Sequence, residues 1–233
     1  MTVWQGFVQA LELLLAFDSE VMAIAGRSLA ISLAATGIAT LVCIPTACFI
    51  QFGRVPAKRW LIAIIQTFYS VPTVLVGLLM FLLFSRQGPL GTLHLMFTPQ
   101  LMVLGQAVLV SPILLGLVIS ALEGTDRRLQ KTAVALGASH VQAAWLVMRE
   151  ARYGTLTATT MGFGRAISEV GLALMVGGNI RSFTRTLTTA ISLETAKGDV
   201  ELSIALGIIL LVIALLVNVA MNRLQQVKIE TTG

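Results

Sequence analysis

Apolar residues fall along this chain in five long runs, Ser28–Ile50, Leu61–Phe84, Leu101–Leu122, Thr155–Val176 and Leu202–Met221, each closed by a short polar or charged stretch. Crossing about 30 Å of hydrocarbon takes ~20 helical residues, and every run is long enough. The pattern predicts an all-α integral membrane protein with about five transmembrane helices. An earlier stretch, Val3–Phe17, is apolar but shorter. It is interrupted by Gln5, Gln9 and Glu12 and closed by Asp18 and Glu20. That pattern fits an amphipathic helix at the membrane interface better than a sixth span. The division that follows has three parts. Residues 1–25 form an N-terminal interfacial or extracytoplasmic helix. Residues 26–223 form a transmembrane domain with a cytoplasmic loop at 123–154, and 224–233 are a short cytoplasmic tail.

Composition supports lipid as the solvent. Of 233 residues 56% are hydrophobic and 12% charged, against about a quarter charged in soluble domains. The net charge of +5 invites a nucleic-acid reading. However, the basic residues sit in loops between the apolar runs, so cationic loops on one side of a membrane account for them and no nucleic-acid partner is expected. One side collects Arg54, Lys58, Arg59, Arg127, Arg128, Lys131, Arg149, Arg152, Arg223 and Lys228. The other has half as many: Arg27, Arg86, Arg181, Arg185 and Lys197. The positive-inside rule places the first set in the cytoplasm, the N-terminus outside and the C-terminus inside. Trp60 and Tyr153 fall at cytoplasmic ends of spans, as interfacial aromatics do. Cys43 and Cys48 lie in one apolar run and imply no disulfide framework. The N-terminus lacks the features of a cleaved secretory signal.

The loop at 123–154 reads as two short helices. Gly137 is a good helix stop, and Ser139 stands three residues before Gln142, the spacing of a capping box. A stop followed at once by a start predicts a tight elbow at Gly137-Ala138-Ser139. The second helix carries Val141, Ala144, Trp145 and Met148 as an apolar stripe, to be buried against the bundle or in a partner's groove. Within the spans, Arg165 and Glu169 are spaced to pair on one helix face. Either they form a self-satisfied ion pair or they face an aqueous pathway. Ser70, Pro72 and Thr73 interrupt the second run, and Ser111 and Pro112 the third, as kinks or as gating points.

No phosphate-binding loop of the G-x-x-x-x-G-K-[ST] type is present, so ATP hydrolysis by that route is not expected. His94 and His140 fall on opposite sides of the predicted topology and cannot share a metal site or a catalytic dyad. A membrane-embedded enzyme therefore lacks a nucleophile and base at one depth. A channel remains as a rival class.

The elbow resembles the coupling loop of ABC importer permeases, whose pattern is E-A-A, three residues, then glycine. Here it stands as Lys131-Thr132-Ala133 and Gly137, with Lys for Glu and Thr for one Ala. The later I-x-L-P part falls on Val147, Arg149 and Glu150 and is largely lost. Several segments resemble more specifically the permease subunit of tungstate-uptake ABC transporters. They are Gly164-Arg165-Ala166-Ile167-Ser168-Glu169-Val170-Gly171, Val176-Gly177-Gly178-Asn179-Ile180, Ser70-Val71-Pro72-Thr73 with Gly77, Gly88-Pro89-Leu90-Gly91, and Leu193-Glu194-Thr195 with Lys197-Gly198. They keep their order across roughly Gln66–Leu211. Molybdate and sulfate permeases are relatives, and those oxyanions are the alternative cargo.

The resemblance implies a type I importer permease fold and a homodimer in the inner membrane of a prokaryote, with the pathway between subunits. It also implies an extracytoplasmic tungstate-binding protein, and two cytoplasmic ATPase subunits that carry the ATP and Mg, with no cofactor on this chain. ATPase coupling falls on Lys131, Ala133, Gly137, Ala138, Ser139 and His140. A divalent oxyanion sheds water reluctantly, so a hydroxyl-lined route is expected along Ser70, Thr73, Ser111 and Ser168, with Pro72 at the break in the same pathway. Arg165, moderated by Glu169, would supply a transient positive potential. Arg181 and Arg185 would meet the anion or the binding protein outside.

Overall fold

The computed structural model describes residues 3–16, 18–53 and 55–230, and no strand occurs among them. In chain order the helices are α1 (Val3–Leu15), α2 (Ser19–Phe52), α3 (Lys58–Thr67), α4 (Thr73–Phe84), α5 (Pro99–Glu123), α6 (Arg127–Ala135), α7 (His140–Glu150), α8 (Arg152–Ile167), α9 (Gly171–Gly177), α10 (Leu187–Lys197) and α11 (Val200–Glu230). Arg54, Phe17 and the last three residues of the tail, assigned above, lie outside the described residues.

Three of the five expected spans are single helices long and apolar enough to cross a membrane: α2, α5 and α11 as far as Met221. The second run is a bent pair. α3 and α4 meet at 94° across Ser70–Thr73. Val71 and Pro72 are extended, with ψ 127 at each, because a proline ring keeps the residue before it out of the helical region. The fourth run departs from expectation. It is not one helix but α8, which stops at Ile167, and the seven-residue α9 beyond a break at Ser168-Glu169-Val170. At 1.5 Å per residue, α8 spans about 24 Å. The third run departs the other way: α5 runs through Pro112 as one helix. Pro112 removes one backbone donor. Ser111 donates its hydroxyl to Ala107 O at 2.6 Å, and packing on α2 holds the helix through the defect.

The core forms where α2 meets α5. Ala35, Ala39, Cys43 and Ala47 recur every fourth residue on α2, so they share one face, and none is more than 3% exposed. They pack on Val110, Leu114 and Val118 of α5 in one buried cluster. α8 fits tightly beside them, because a Cβ at Gly162 would stand 3.0 Å from Val110 Cγ1. Small residues at such crossings let backbones approach closely. α1 lies along α11, with Ala10 buried in a cluster containing Leu206 and Ile209. Trp4, Phe7, Leu11 and Leu15 are left exposed on its outer face. Its 13 residues cover about 20 Å, short of a bilayer.

Candidate functional site

The two helix breaks, at Ser70–Pro72 and at Ser168–Val170, meet in space. α4 starts at Thr73 with no side-chain cap and packs on α9. A Cβ at Gly77 would sit 3.1 Å from Leu172 Cα, and one at Gly171 would lie 3.1 Å from Thr73 Oγ1 and 3.6 Å from Glu169 Oε1. Thr73 and Glu169 are therefore neighbours across the α4–α9 contact. Tyr69 pins the first break to α5: its hydroxyl fills the space that a side chain at Gly116 would need.

Glu169 is 2% exposed and is the centre of the site. Its Oε2 accepts Arg165 Nη1 at 2.9 Å and its Oε1 accepts the Leu172 N–H at 3.0 Å. Its backbone carbonyl accepts the Thr188 hydroxyl at 2.9 Å. The pair expected along one continuous helix thus spans a helix end: Arg165 is in the last turn of α8, and the Glu169 side chain holds the first turn of α9. Arg165 is about one-third exposed at its side chain. Beside it, Ser168 is exposed and donates to Arg165 O at 3.2 Å. Ser70 and Pro72 are exposed, and Thr73 is half-buried.

Six of the seven residues expected along a pathway, Ser70, Pro72, Thr73, Arg165, Ser168 and Glu169, belong to these two joined breaks. Ser111 does not. Its hydroxyl is turned onto its own helix, and its carbonyl accepts Cys43 Sγ at 3.4 Å across the α2–α5 contact. The arrangement presents hydroxyls and one cation, with the cation's charge offset by a buried carboxylate.

The elbow is built as the sequence predicts. α6 ends before Gly137, which adopts φ 93, and α7 begins with a complete capping box. Ser139 Oγ accepts the Gln142 N–H at 3.3 Å, and Gln142 Oε1 accepts the Ser139 N–H at 2.9 Å. The apolar stripe is not buried as a whole against the bundle. Ala143 and Val147 are the residues buried against the bundle, at 0% and 3% exposed, while Val141 and Trp145 stand out at 79% and 71%. Ala144 and Met148 are half-buried. Leu136 adds a third exposed apolar side chain at the turn. Lys131, Ala138 and His140 lie around the same turn, with Ala133 turned inward.

At the opposite end, Arg181 and Arg185 are not free cations. Glu20, in the first turn of α2, pairs with Arg181 through both its oxygens and lies 3.8 Å from Arg185 Nη1. Arg27 donates to the Arg185 and Ser182 carbonyls. Glu20 and Thr188 escaped the sequence reading. Thr186-Leu187-Thr188-Thr189 carries a legible capping pattern that the structure closes, but Glu20 and Arg181 are 161 positions apart and no local pattern links them. His94 precedes α5, and His140 follows it at the elbow, so they stand at opposite ends of the bundle.

Comparison with known proteins follows the same lines. Residues 39–228 match the family described as "Binding-protein-dependent transport system inner membrane component". The chain is 44% identical to a probable anion ABC transporter permease protein of Haloferax volcanii, over 84% of this chain and 87% of that one. It is 38% identical to the tungstate uptake system permease protein of Peptoclostridium acidaminophilum, over 95% and 97%. A crystal structure of an amino acid ABC transporter superposes with a TM-score of 0.62 over 92% of this chain and 94% of the other, at 14% identity.

Proposed function

The chain belongs to the binding-protein-dependent transport system inner membrane component family, and from that premise we propose that it is the membrane-spanning subunit of an ABC importer that carries tungstate into the cytoplasm. The observation that supports this reading most directly is near-full-length similarity to tungstate uptake permeases. It is joined by a site in which Arg165, paired with Glu169, stands near Ser70, Thr73 and Ser168. A doubly charged oxyanion needs hydrogen-bond donors to replace part of its water. It also needs release, which an unpaired buried cation would oppose.

In this reading two copies of the chain enclose the pathway between their α4 and α9 regions. An extracytoplasmic binding protein delivers the anion to the end that carries Arg181. Two separate ATPase subunits dock on the exposed face of α7 and the turn at Leu136-Gly137-Ala138. Their closure on ATP carries α6 and α7 as a unit and rocks the spans between outward- and inward-facing cavities.

Cellular tungsten, measured by mass spectrometry in the source strain with and without the gene, tests the proposal. At trace tungstate with excess molybdate or sulfate, deletion should abolish accumulation, and the restored gene should recover it. Uptake that collapses under molybdate or sulfate would make the chain a broader oxyanion permease. Uptake independent of the gene would remove the substrate class altogether.

A further inference from the structure

A groove of about 450 Å³ opens at the end of the bundle away from the elbow, between α1, α2, α10 and the start of α11. Its floor is apolar: Leu13, Val21, Ile24, Leu202 and Leu206. Its rim carries three cations, Arg181, Arg185 and Lys197, and three carboxylates, Asp18, Glu20 and Glu194. The two signs are interleaved rather than separated. Glu20 holds Arg181 and Arg185 on one side, and Lys197 Nζ lies 2.8 Å from Glu194 Oε1 on the other. Arg185 Nε is fully enclosed and has no hydrogen-bond partner among the described residues.

We propose that this groove binds one phospholipid of the outer leaflet, with a phosphoethanolamine headgroup between the two ion pairs and an acyl chain on the apolar floor. Three features fix the chemistry. First, the rim is balanced in charge, so it favours a zwitterion over either a free oxyanion or an anionic headgroup. Second, carboxylates with spare lone pairs reward a headgroup that brings N–H donors, which a primary ammonium does and a trimethylammonium does not. Third, the floor is apolar where Leu13, Val21, Ile24, Leu202 and Leu206 come together, so it suits an acyl chain and not a second polar group. The lipid phosphate accepts from Arg185 and Lys197, and the ammonium donates to Glu194 and Asp18. The occupant thereby ties α1 to α10 and to the start of α11. This site is independent of which oxyanion the permease carries.

The test is native mass spectrometry of the purified full-length chain. It is first delipidated, then offered phosphatidylethanolamine, phosphatidylcholine and phosphatidylglycerol in equal amounts. Phosphatidylethanolamine should be retained at one per chain under activation that strips the other two. Excess soluble phosphoethanolamine should not displace it, since the acyl chain is part of the fit. Glu194→Gln and Lys197→Ala should each weaken retention by about tenfold, the factor for one charge-assisted contact. Arg86→Ala, outside the groove's rim, should change nothing. Equal retention of the three lipids, preference for phosphatidylglycerol, or displacement by the soluble headgroup would each overturn the proposal. The lipid comparison on the unsubstituted chain decides even where a variant fails to fold. If no lipid is retained while Glu194→Gln weakens capture of the binding protein, the groove is a protein docking surface and the lipid assignment is wrong.

Discussion

A carboxylate that is 2% exposed, as Glu169 is, survives in a membrane bundle only if its charge and lone pairs are answered. Arg165 Nη1 and the Leu172 N–H do so here. Substitution can separate a structural part of this partnership from the proposed part in transport. Arg165→Ala leaves the buried carboxylate with one donor and should cost about 3 kcal/mol, the lower range for a broken buried pair. It would be read as a lowered unfolding midpoint of the purified chain. Arg165→Ala with Glu169→Ala removes the uncompensated charge and should recover most of that loss without recovering uptake. A double variant as unstable as the single one would show that the carboxylate's bond to Leu172 N matters more than the ion pair. A double variant that transports normally would take both residues out of the pathway. Gly137 poses a different question at the same scale. Its φ of 93 is a conformation costly to most residues, and nothing lies within 4 Å of where a Cβ would be. The penalty is therefore in the backbone alone, about 1–2 kcal/mol for a residue with a branched Cβ and less for asparagine. Gly137→Asn should keep uptake. Gly137→Val should leave the protein in the membrane while ATPase turnover in the assembled transporter proceeds without transport.

The helix α7 shows what one element can reveal and hide. Its start was legible because Ser139 and Gln142 carry a local hydrogen-bond pattern three residues apart, and the structure closes both bonds. Its buried face was not. Trp145 is the largest apolar side chain of the helix, yet Ala143 and Val147 sit inside, and Val141 is exposed where Val147 is buried, so the face is set by where the helix docks on the bundle and not by hydrophobicity alone. Similar physics explains the breaks. Pro72 bends its run by 94°, whereas Pro112 does not interrupt α5. The difference is in tertiary support, α2 on one side and α8 on the other, which no local sequence records. The end of α8 at Ile167 was also missed. Apolar length alone reads through Ser168, and only the long-range bond from Thr188 to the Glu169 carbonyl marks the chain as leaving the helix there. The exposed face has a testable consequence. Val141→Ser with Trp145→Ser should change the stability of the isolated chain by no more than about 0.5 kcal/mol, as surface substitutions do. It should nonetheless abolish co-purification of the ATPase subunit, since an exposed tryptophan anchor can carry 2 kcal/mol or more of an interface. Undiminished co-purification would move docking off α7.

At the scale of the whole molecule, charge is sorted to the two ends of the bundle, and the proposed orientation rests on that sorting. The elbow end carries Lys58, Arg59, Arg128, Lys131, Arg149 and Arg152, with Lys58 Nζ 4.0 Å from Glu123 at the end of α5. The groove end carries Arg27, Arg86, Arg181, Arg185 and Lys197. Most of these are occupied by carboxylate or carbonyl partners. Pairing does not weaken the orientation argument, because the rule counts Lys and Arg rather than net charge. The topology therefore predicts opposite accessibilities for Arg86, in the loop after α4, and His140, at the start of α7. With Cys43 and Cys48 replaced by alanine, Arg86→Cys should react with a membrane-impermeant maleimide on intact spheroplasts. His140→Cys should react only after permeabilisation. Cys43 lies buried against α5 and Cys48 is half-buried, so their removal disturbs packing rather than the labelled surfaces, and each variant can be checked for uptake before labelling. The reverse pattern would set the elbow outside, out of reach of any cytoplasmic ATPase, and the importer reading would fall with it. The expected pattern would place α6 and α7 where ATP-driven closure can pull on them. That is the condition under which the paired breaks at Ser70–Pro72 and Ser168–Val170 become moving parts of a transport cycle and not static kinks.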